Sequence, residues 1–156
     1  MSILESVLAP EFVRSKISAA SRKRVLQVIA TALATEDATE DTLFDGLMAR
    51  ERLGSTGIGD GVAVPHCRAH TDRIRACLVT TEEPLDYEAS DGQRVDLFFA
   101  LVVPEDEHQL HLTALKEISQ ILADEPNRLD LRACRSNEDL HVCVKRALNR
   151  LDEASL

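Results

Sequence analysis

The residues best suited to chemistry lie in one segment, which runs from Arg50 to His66 and reads Arg-Glu-Arg-Leu-Gly-Ser-Thr-Gly-Ile-Gly-Asp-Gly-Val-Ala-Val-Pro-His. It contains four of the chain's six glycines. Glycine backbone reaches positive φ easily and can bring bare N–H groups close to an anion. Residues 62–64 then alternate as Val-Ala-Val, which is typical of a short strand. The pattern therefore predicts a glycine loop, then a strand that carries His66 at its end.

Nucleotide binding is the first chemistry that such a loop suggests. The phosphate-binding loop requires lysine directly after its last glycine, and Val62 follows Gly61 here. The dinucleotide fingerprint requires a strand before the glycines and a helix after them, which is the reverse of the order predicted here. Both nucleotide motifs are therefore excluded. Taken alone, the glycines are equally compatible with an irregular turn.

Metal binding is the second candidate, because His66, Cys67, His70, His108 and His111 all carry ligand atoms. Zinc needs three or four imidazole or thiolate ligands within bonding distance. The spacing of these residues is loose, and the first three lie on a strand and a loop, not on one helix face. We therefore expect no metal and no cofactor.

A histidine nucleophile is the third candidate. Neutral imidazole attacks phosphorus near pH 7, and the phosphoramidate product passes its phosphoryl group on readily. The phosphoryl oxygens need cationic or N–H donors, which Arg50, a second histidine and the amides of Gly57, Gly59 and Gly61 could provide. Each member also has a structural explanation, since an arginine near a helix C-terminus can simply offset the helix dipole.

Composition limits the class of protein. The chain has 156 residues, a formal net charge of −9, 44% hydrophobic and 29% charged residues, which fits one globular α/β domain over residues 1–156. The negative charge argues against nucleic-acid or lipid-surface binding. The four cysteines form no CxxC pair, and no segment resembles a signal peptide or a membrane span. We therefore expect a cytoplasmic protein with reduced thiols and no membrane insertion.

Hydrophobic periodicity predicts helices covering a mostly buried sheet. The expected elements, in chain order, are one or two short elements before residue 20, a helix capped by Ser21, a helix that ends near Arg52 before Gly54, a strand over 76–81, a central strand over 95–103, a helix with His108 and His111 at its start, and a last helix capped by Ser136. The polar residues 67–73 are expected to form a connection, and Pro84 and residues 88–93 to form turns.

The Arg50–His66 segment closely resembles the signature of the enzyme IIA domains of the bacterial phosphotransferase system, mannitol/fructose class. The resemblance is strongest to the nitrogen-regulatory branch, in which Gly-Ser-Thr-Gly-Ile-Gly followed by Pro-His is typical, and it covers nearly the whole chain. It implies a single-domain, three-layer α/β/α sandwich around a mixed sheet.

The resemblance also implies roles for individual residues. His66 matches the histidine that accepts the phosphoryl group, Arg50 the arginine that stabilises it, and His111 the second histidine that hydrogen-bonds near the phosphorylated ring. His108 is nearby but peripheral. Cys67 departs from the usual glycine, and we interpret it as a substitution without function, with redox modulation of the site as a minor alternative.

The activity implied by the resemblance is phosphoryl transfer from a histidine-containing phosphocarrier protein, itself charged from phosphoenolpyruvate through an enzyme I. In the nitrogen branch the phosphorylation state regulates partners, among them potassium transport and metabolism. Such a protein is a phosphotransferase component, not a free-standing turnover enzyme. Two alternatives stay open: a sugar-specific IIA that donates to a mannitol- or fructose-type IIB domain, and a binding-only module, against which the presence of Arg50, His66 and His111 together argues.

Overall fold

The structure, a computed structural model, describes residues 2–154, without the side chain of residue 154. Its helices are α1 (Ile3–Val7), α2 (Arg22–Leu33), α3 (Glu40–Arg52), α4 (His108–Leu122), α5 (Glu125–Ala133) and α6 (Asn137–Ala154), with a 3₁₀ turn at Pro10–Phe12. Its strands are β1 (Val13–Ile17), β2 (Gly57–Gly59), β3 (Val62–Ala63), β4 (His66–Ala69), β5 (Arg75–Leu85) and β6 (Val95–Pro104).

The strands form one mixed sheet in the order β1-β5-β6-β3-β2, and β4 also pairs with β6. β6 runs antiparallel to β5 and parallel to both β3 and β4. The prediction of a central strand over 95–103 is confirmed. Its continuous apolar sequence suits this position because both of its faces are buried.

Helices cover both faces of the sheet, as the predicted sandwich requires. One core lies between the sheet and α1, α4, α5 and α6, and contains Val62, Val64 and Phe99. The other lies between the sheet and α2 and α3, and contains Ala63 and Phe98. The alternation predicted for residues 62–64 is therefore confirmed, as is the three-layer α/β/α fold.

Local sequence signals predicted most helix ends correctly. The Ser21 hydroxyl accepts a hydrogen bond from the Arg24 N–H at 3.1 Å, and the Ser136 hydroxyl accepts one from the Asp139 N–H at 3.1 Å. α3 ends at Arg52, two residues before Gly54. These side-chain caps satisfy backbone donors that have no partner inside the helix.

Several expectations about loops were wrong. Residues 66–69 form strand β4, with His66 opposite Leu101 and Arg68 opposite Val103, whereas we expected a connection over 67–73. β4 pairs with β6, so the backbones of the two strands satisfy each other, while His66 is half-buried and Arg68 exposed. Pro84 lies within β5 and not in a turn, at the point where the β5–β6 register shifts.

Candidate functional site

The site is built on β4, where successive side chains point to opposite sides of the sheet. Cys67 and Ala69 belong to the core beneath α2 and α3. His66 and Arg68 therefore point the other way, towards the start of α4. This geometry follows from β4 being a strand, so the extended backbone sets the direction of the histidine.

A cavity of about 510 Å³ opens beside His66 and brings the three predicted residues together. Its lining comes from α3, β4 and α4, and consists of Gly46, Ala49, Arg50, Leu53, His66, Cys67, Arg68 and His111. The imidazoles of His66 and His111 meet edge to face, with ring centroids 5.4 Å apart and an interplanar angle of 61°. Such a concave surface, with apolar walls and a few convergent polar groups, is typical of a binding site.

The protonation of His66 follows from one hydrogen bond. Its Nδ1 lies 2.7 Å from the carbonyl oxygen of Val64. A carbonyl only accepts, so Nδ1 carries a proton, and in the neutral ring Nε2 then keeps its lone pair. Burial lowers the pKa of His66 below its usual 6.5; the Val64 hydrogen bond opposes this effect, and the positive charge of Arg50 adds to it. His66 is therefore a neutral imidazole with a nucleophilic Nε2 near pH 7.

Arg50 lies in the last turn of α3. Its Nη1 donates a hydrogen bond of 2.7 Å to the carbonyl oxygen of Gly54, just beyond the helix end. A guanidinium group has five N–H donors, so this bond leaves others for an anion in the cavity. The helix end thus provides a fixed positive charge at one wall.

His111 lies in the first turn of α4 and also lines the cavity. Its Nε2 is buried and has no hydrogen-bond partner among the described residues. Burial, followed by the charges of His66, Arg68 and His108, lowers the pKa of His111. The site therefore holds a second neutral imidazole with one ring nitrogen unpaired.

Arg68 is a site residue that the sequence analysis missed. Its Nη2 lies 3.1 Å from Nδ1 of His111 and 3.1 Å from Nδ1 of His108. The i, i+2 spacing from His66 could have indicated it, but only if residues 66–69 had been interpreted as a strand. His108 is exposed and does not line the cavity.

Cys67 fits its position without strain because α3 has a glycine opposite it. A Cβ added to Gly46 would stand 3.2 Å from the Cys67 sulfur. The thiol is buried, which raises its pKa to about 11. It is thus protonated near pH 7, where it packs against α3.

The predicted glycine loop forms a hairpin of β2 and β3 at the sheet edge, turning through Gly59, Asp60 and Gly61, all with positive φ. Arg132 of α5 donates to the Asp60 carbonyl, and Glu51 of α3 accepts from the backbone N–H of Thr56 at 3.0 Å. None of the glycines predicted as ligands, Gly57, Gly59 and Gly61, is among the residues that line the His66 cavity. As phosphoryl ligands they stay a prediction.

The side chains and helices of residues 2–154 also bear on metal binding and on membrane insertion. No group of three or more His, Cys, Asp or Glu in that range is arranged to hold a metal ion. None of the helices described there has both the length and the apolar character to cross a membrane.

Known proteins are similar to this chain over most of its length. The family described as "Phosphoenolpyruvate-dependent sugar phosphotransferase system, EIIA 2" matches residues 6–147. The nitrogen regulatory protein of Escherichia coli (strain K12) is 38% identical over 154 residues, which cover 97% of this chain and 94% of the relative. That of Pseudomonas aeruginosa is 38% identical over 144 residues, covering 90% and 94%.

Solved structures agree with the sequence relatives. The nitrogen regulatory protein IIA-Ntr from Neisseria meningitidis superimposes with a TM-score of 0.86 at 31% identity, covering 94% of this chain and 99% of that one. IIA mannitol from Escherichia coli, at 16% identity, shares the fold with a TM-score of 0.71 over 86% and 96%. The resemblance inferred from the Arg50–His66 segment is confirmed: the chain belongs to the EIIA-2 family of the phosphoenolpyruvate-dependent phosphotransferase system.

Proposed function

We propose that this protein accepts a phosphoryl group on Nε2 of His66 from a histidine-phosphorylated carrier protein, and that its phosphorylation state regulates partner proteins. One observation carries the proposal. The His66 imidazole is held with its Nε2 lone pair free, in a cavity that it shares with the Arg50 guanidinium and the unpaired Nε2 of His111.

The transfer step follows from this protonation state. The Nε2 lone pair of His66 forms a bond to phosphorus as the bond between phosphorus and the carrier's histidine breaks. The electron pair of the broken bond returns to the carrier's imidazole. The proton on Nδ1 of His66 stays in place, and the Val64 carbonyl 2.7 Å away stabilises the positive charge that the ring acquires.

Two neighbours would stabilise the phosphoryl oxygens. Arg50 provides a permanent positive charge with N–H donors, and hydrogen bonds between a guanidinium and a phosphoryl oxygen are among the strongest in proteins. His111 lies edge-on to His66 in the same cavity and supports the group without attacking it. This division agrees with the protonation states, since only His66 has a backbone acceptor at Nδ1.

The regulatory part of the proposal is supported by the relatives, which are named nitrogen regulatory proteins. We infer that the phosphorylated and unphosphorylated forms differ in affinity for cytoplasmic targets, such as proteins of potassium transport and metabolism. A doubly negative group on His66 would change the charge at the mouth of the cavity. Partner surfaces near that mouth would be sensitive to such a change.

The direct test uses purified enzyme I, the phosphocarrier protein and phosphoenolpyruvate. We expect the protein to gain the mass of one phosphoryl group in a bond that is labile in acid and stable in base. His66→Ala should gain none, whereas the matched control His70→Ala, four residues further on and exposed, should be labelled normally. Labelling of His66→Ala would overturn the assignment.

A sugar-specific IIA remains the alternative, and one comparison favours testing it. The fructose-specific EIIABC component of Bacillus subtilis is 28% identical over 141 residues, although these cover only 22% of that protein. The phosphorylated protein should be mixed with a IIB domain of the mannitol or fructose type. Rapid discharge to that domain would support the sugar-specific alternative, and retention of the phosphoryl group would support regulation.

A further inference from the structure

Arg68 connects three elements of the site. It lies on β4, two residues after His66, and its side chain reaches the start of α4. Nη1 donates a hydrogen bond of 3.2 Å to the carbonyl oxygen of Glu105, in the turn between β6 and α4. Nη2 contacts Nδ1 of both His108 and His111 at 3.1 Å. The guanidinium plane is thus fixed by three partners.

These contacts determine where the protons of the two histidines lie. A guanidinium group only donates hydrogen bonds and does not lose its proton in proteins. Both Nδ1 atoms that Arg68 contacts must therefore accept, so neither carries a proton. A neutral imidazole that accepts at Nδ1 carries its proton at Nε2. Arg68 thus selects the Nε2–H tautomer of His111.

This tautomer puts the proton of His111 on Nε2, the ring nitrogen that is available to the site. Nε2 of His111 is the buried atom that has no partner among the described residues, and its ring is edge-on to His66. A buried N–H without an acceptor is unfavourable, because it has lost its hydrogen bond to water and gained none in the protein. A phosphoryl oxygen on Nε2 of His66 is an acceptor of the kind that this N–H lacks.

We propose that Arg68 is a positioning residue that holds His111 as its Nε2–H tautomer, so that His111 donates a hydrogen bond to the phosphoryl group on His66. The hydrogen-bonding part of this proposal rests on the proposed function, whereas the tautomer does not. The two histidines then have opposite tautomers: His66 is protonated at Nδ1 by its contact with Val64, and His111 at Nε2 by its contact with Arg68. One ring can attack and the other can donate.

The positive charge of Arg68 acts in the same direction as its hydrogen bonds. It lowers the pKa of His111, after the larger effects of burial and of His66. It also lowers the pKa of His66, after burial and Arg50. Arg68 therefore helps both imidazoles to stay neutral, the state in which one is a nucleophile and the other has a single defined N–H.

The tautomers can be measured directly by two-bond ¹H–¹⁵N correlation spectra. The sample is the full chain, labelled with ¹⁵N and not phosphorylated. We expect wild-type His111 to be protonated at Nε2 and His66 at Nδ1. Arg68→Met keeps the apolar stem and removes every donor, so a fraction of His111 should shift to the Nδ1–H form while His66 keeps its tautomer. Arg68→Lys should restore part of the Nε2–H population.

The matched control is Arg73→Met, which removes an equal charge from an exposed side chain that forms an ion pair with the adjacent Asp72. It should leave the His111 tautomer unchanged.

Phosphoryl uptake from the carrier is then measured for the same proteins. We expect Arg68→Met to be slower by about tenfold, the effect of one hydrogen bond to a charged group.

The outcomes separate this inference from the proposed function. Wild-type His111 protonated at Nδ1, or an Arg68→Met spectrum identical to that of wild type, would overturn the tautomer assignment whatever the labelling shows. A shifted tautomer with unchanged uptake would overturn the positioning role. Failure of wild-type His66 to take up label would overturn the proposed function and the hydrogen bond that rests on it, and would leave the measured tautomer standing.

Discussion

Cys67 on β4 packs directly against Gly46 on α3, and a Cβ at residue 46 would lie 3.2 Å from the sulfur and 3.3 Å from the cysteine Cβ. Glycine in a helix interior is normally unfavourable by about 1 kcal/mol relative to alanine. Its presence here is explained by the side chain opposite. The two residues are coupled, one making room for the other.

This coupling predicts a non-additive mutant cycle. Gly46→Ala in the wild-type background should gain little stability, because better helix propensity is offset by the close contact with Cys67. In the Cys67→Gly background the same change should stabilise the fold by about 1 kcal/mol. Urea unfolding of the four proteins measures this, and a coupling free energy near zero would show that the contact has no energetic effect.

Removal of Arg50 should affect transfer and not folding. Its guanidinium lines the cavity and donates a hydrogen bond to the Gly54 carbonyl 2.7 Å away. Arg50→Gln should keep the unfolding midpoint but lower the rate of phosphoryl uptake by about a hundredfold, as when one preorganised donor is lost. Arg52→Gln, in the same last turn but exposed, is the control for charge at the helix end. Equal rates for both variants would make Arg50 purely structural.

His111 should support the phosphoryl group without carrying it. His111→Leu should still be labelled on His66, at a rate reduced by about tenfold, because one N–H donor is lost. His111→Gln keeps an amide N–H and should recover part of the rate. Complete loss of label in His111→Leu, with the fold intact by circular dichroism, would contradict a supporting role.

The protonation of His66 and the free energy of unfolding should both depend on pH, each in a defined direction. The pKa of His66 in the folded chain is below the ordinary 6.5, so the neutral nucleophile should persist in solutions somewhat more acidic than pH 6.5. The unfolded chain binds this proton more readily, so the free energy of unfolding should fall as the pH decreases below about 6.5. An NMR titration of His66 and urea unfolding across this range check both statements. A His66 pKa above 6.5 would contradict them.

The glycine hairpin should be sensitive to substitution of Gly61 for two reasons. Its φ is +76°, and a Cβ there would meet Nη2 of Arg132. Gly61→Ala should therefore destabilise the fold by about 1–3 kcal/mol. Gly92→Ala is the matched control, since φ is +74° but the space is open, so it should cost less. The predicted contact of the loop with the phosphoryl group is then tested on Gly61→Ala. The measurement is the rate of phosphoryl uptake per folded molecule.

The sequence by itself determined the features that depend on neighbouring residues. The apolar run of β6, the caps at Ser21 and Ser136 and the alternation at 62–64 are local, because hydrophobic burial and capping act over one turn or one strand. The family resemblance of the Arg50–His66 segment is local as well. α5 was missed, and β1 was expected only as a short element of unspecified type before residue 20, since their signals are weak without the elements that cover them.

Tertiary structure determined the contacts between residues that lie far apart along the chain. Arg68 and His111 meet only because β4 pairs with β6 and α4 starts just after β6, and no pattern around residues 67–73 indicated a strand. The positions of protons on His66 and His111 depend on the Val64 carbonyl and the Arg68 guanidinium. A residue's type states which atoms can donate or accept; only the folded arrangement states which partner each atom has.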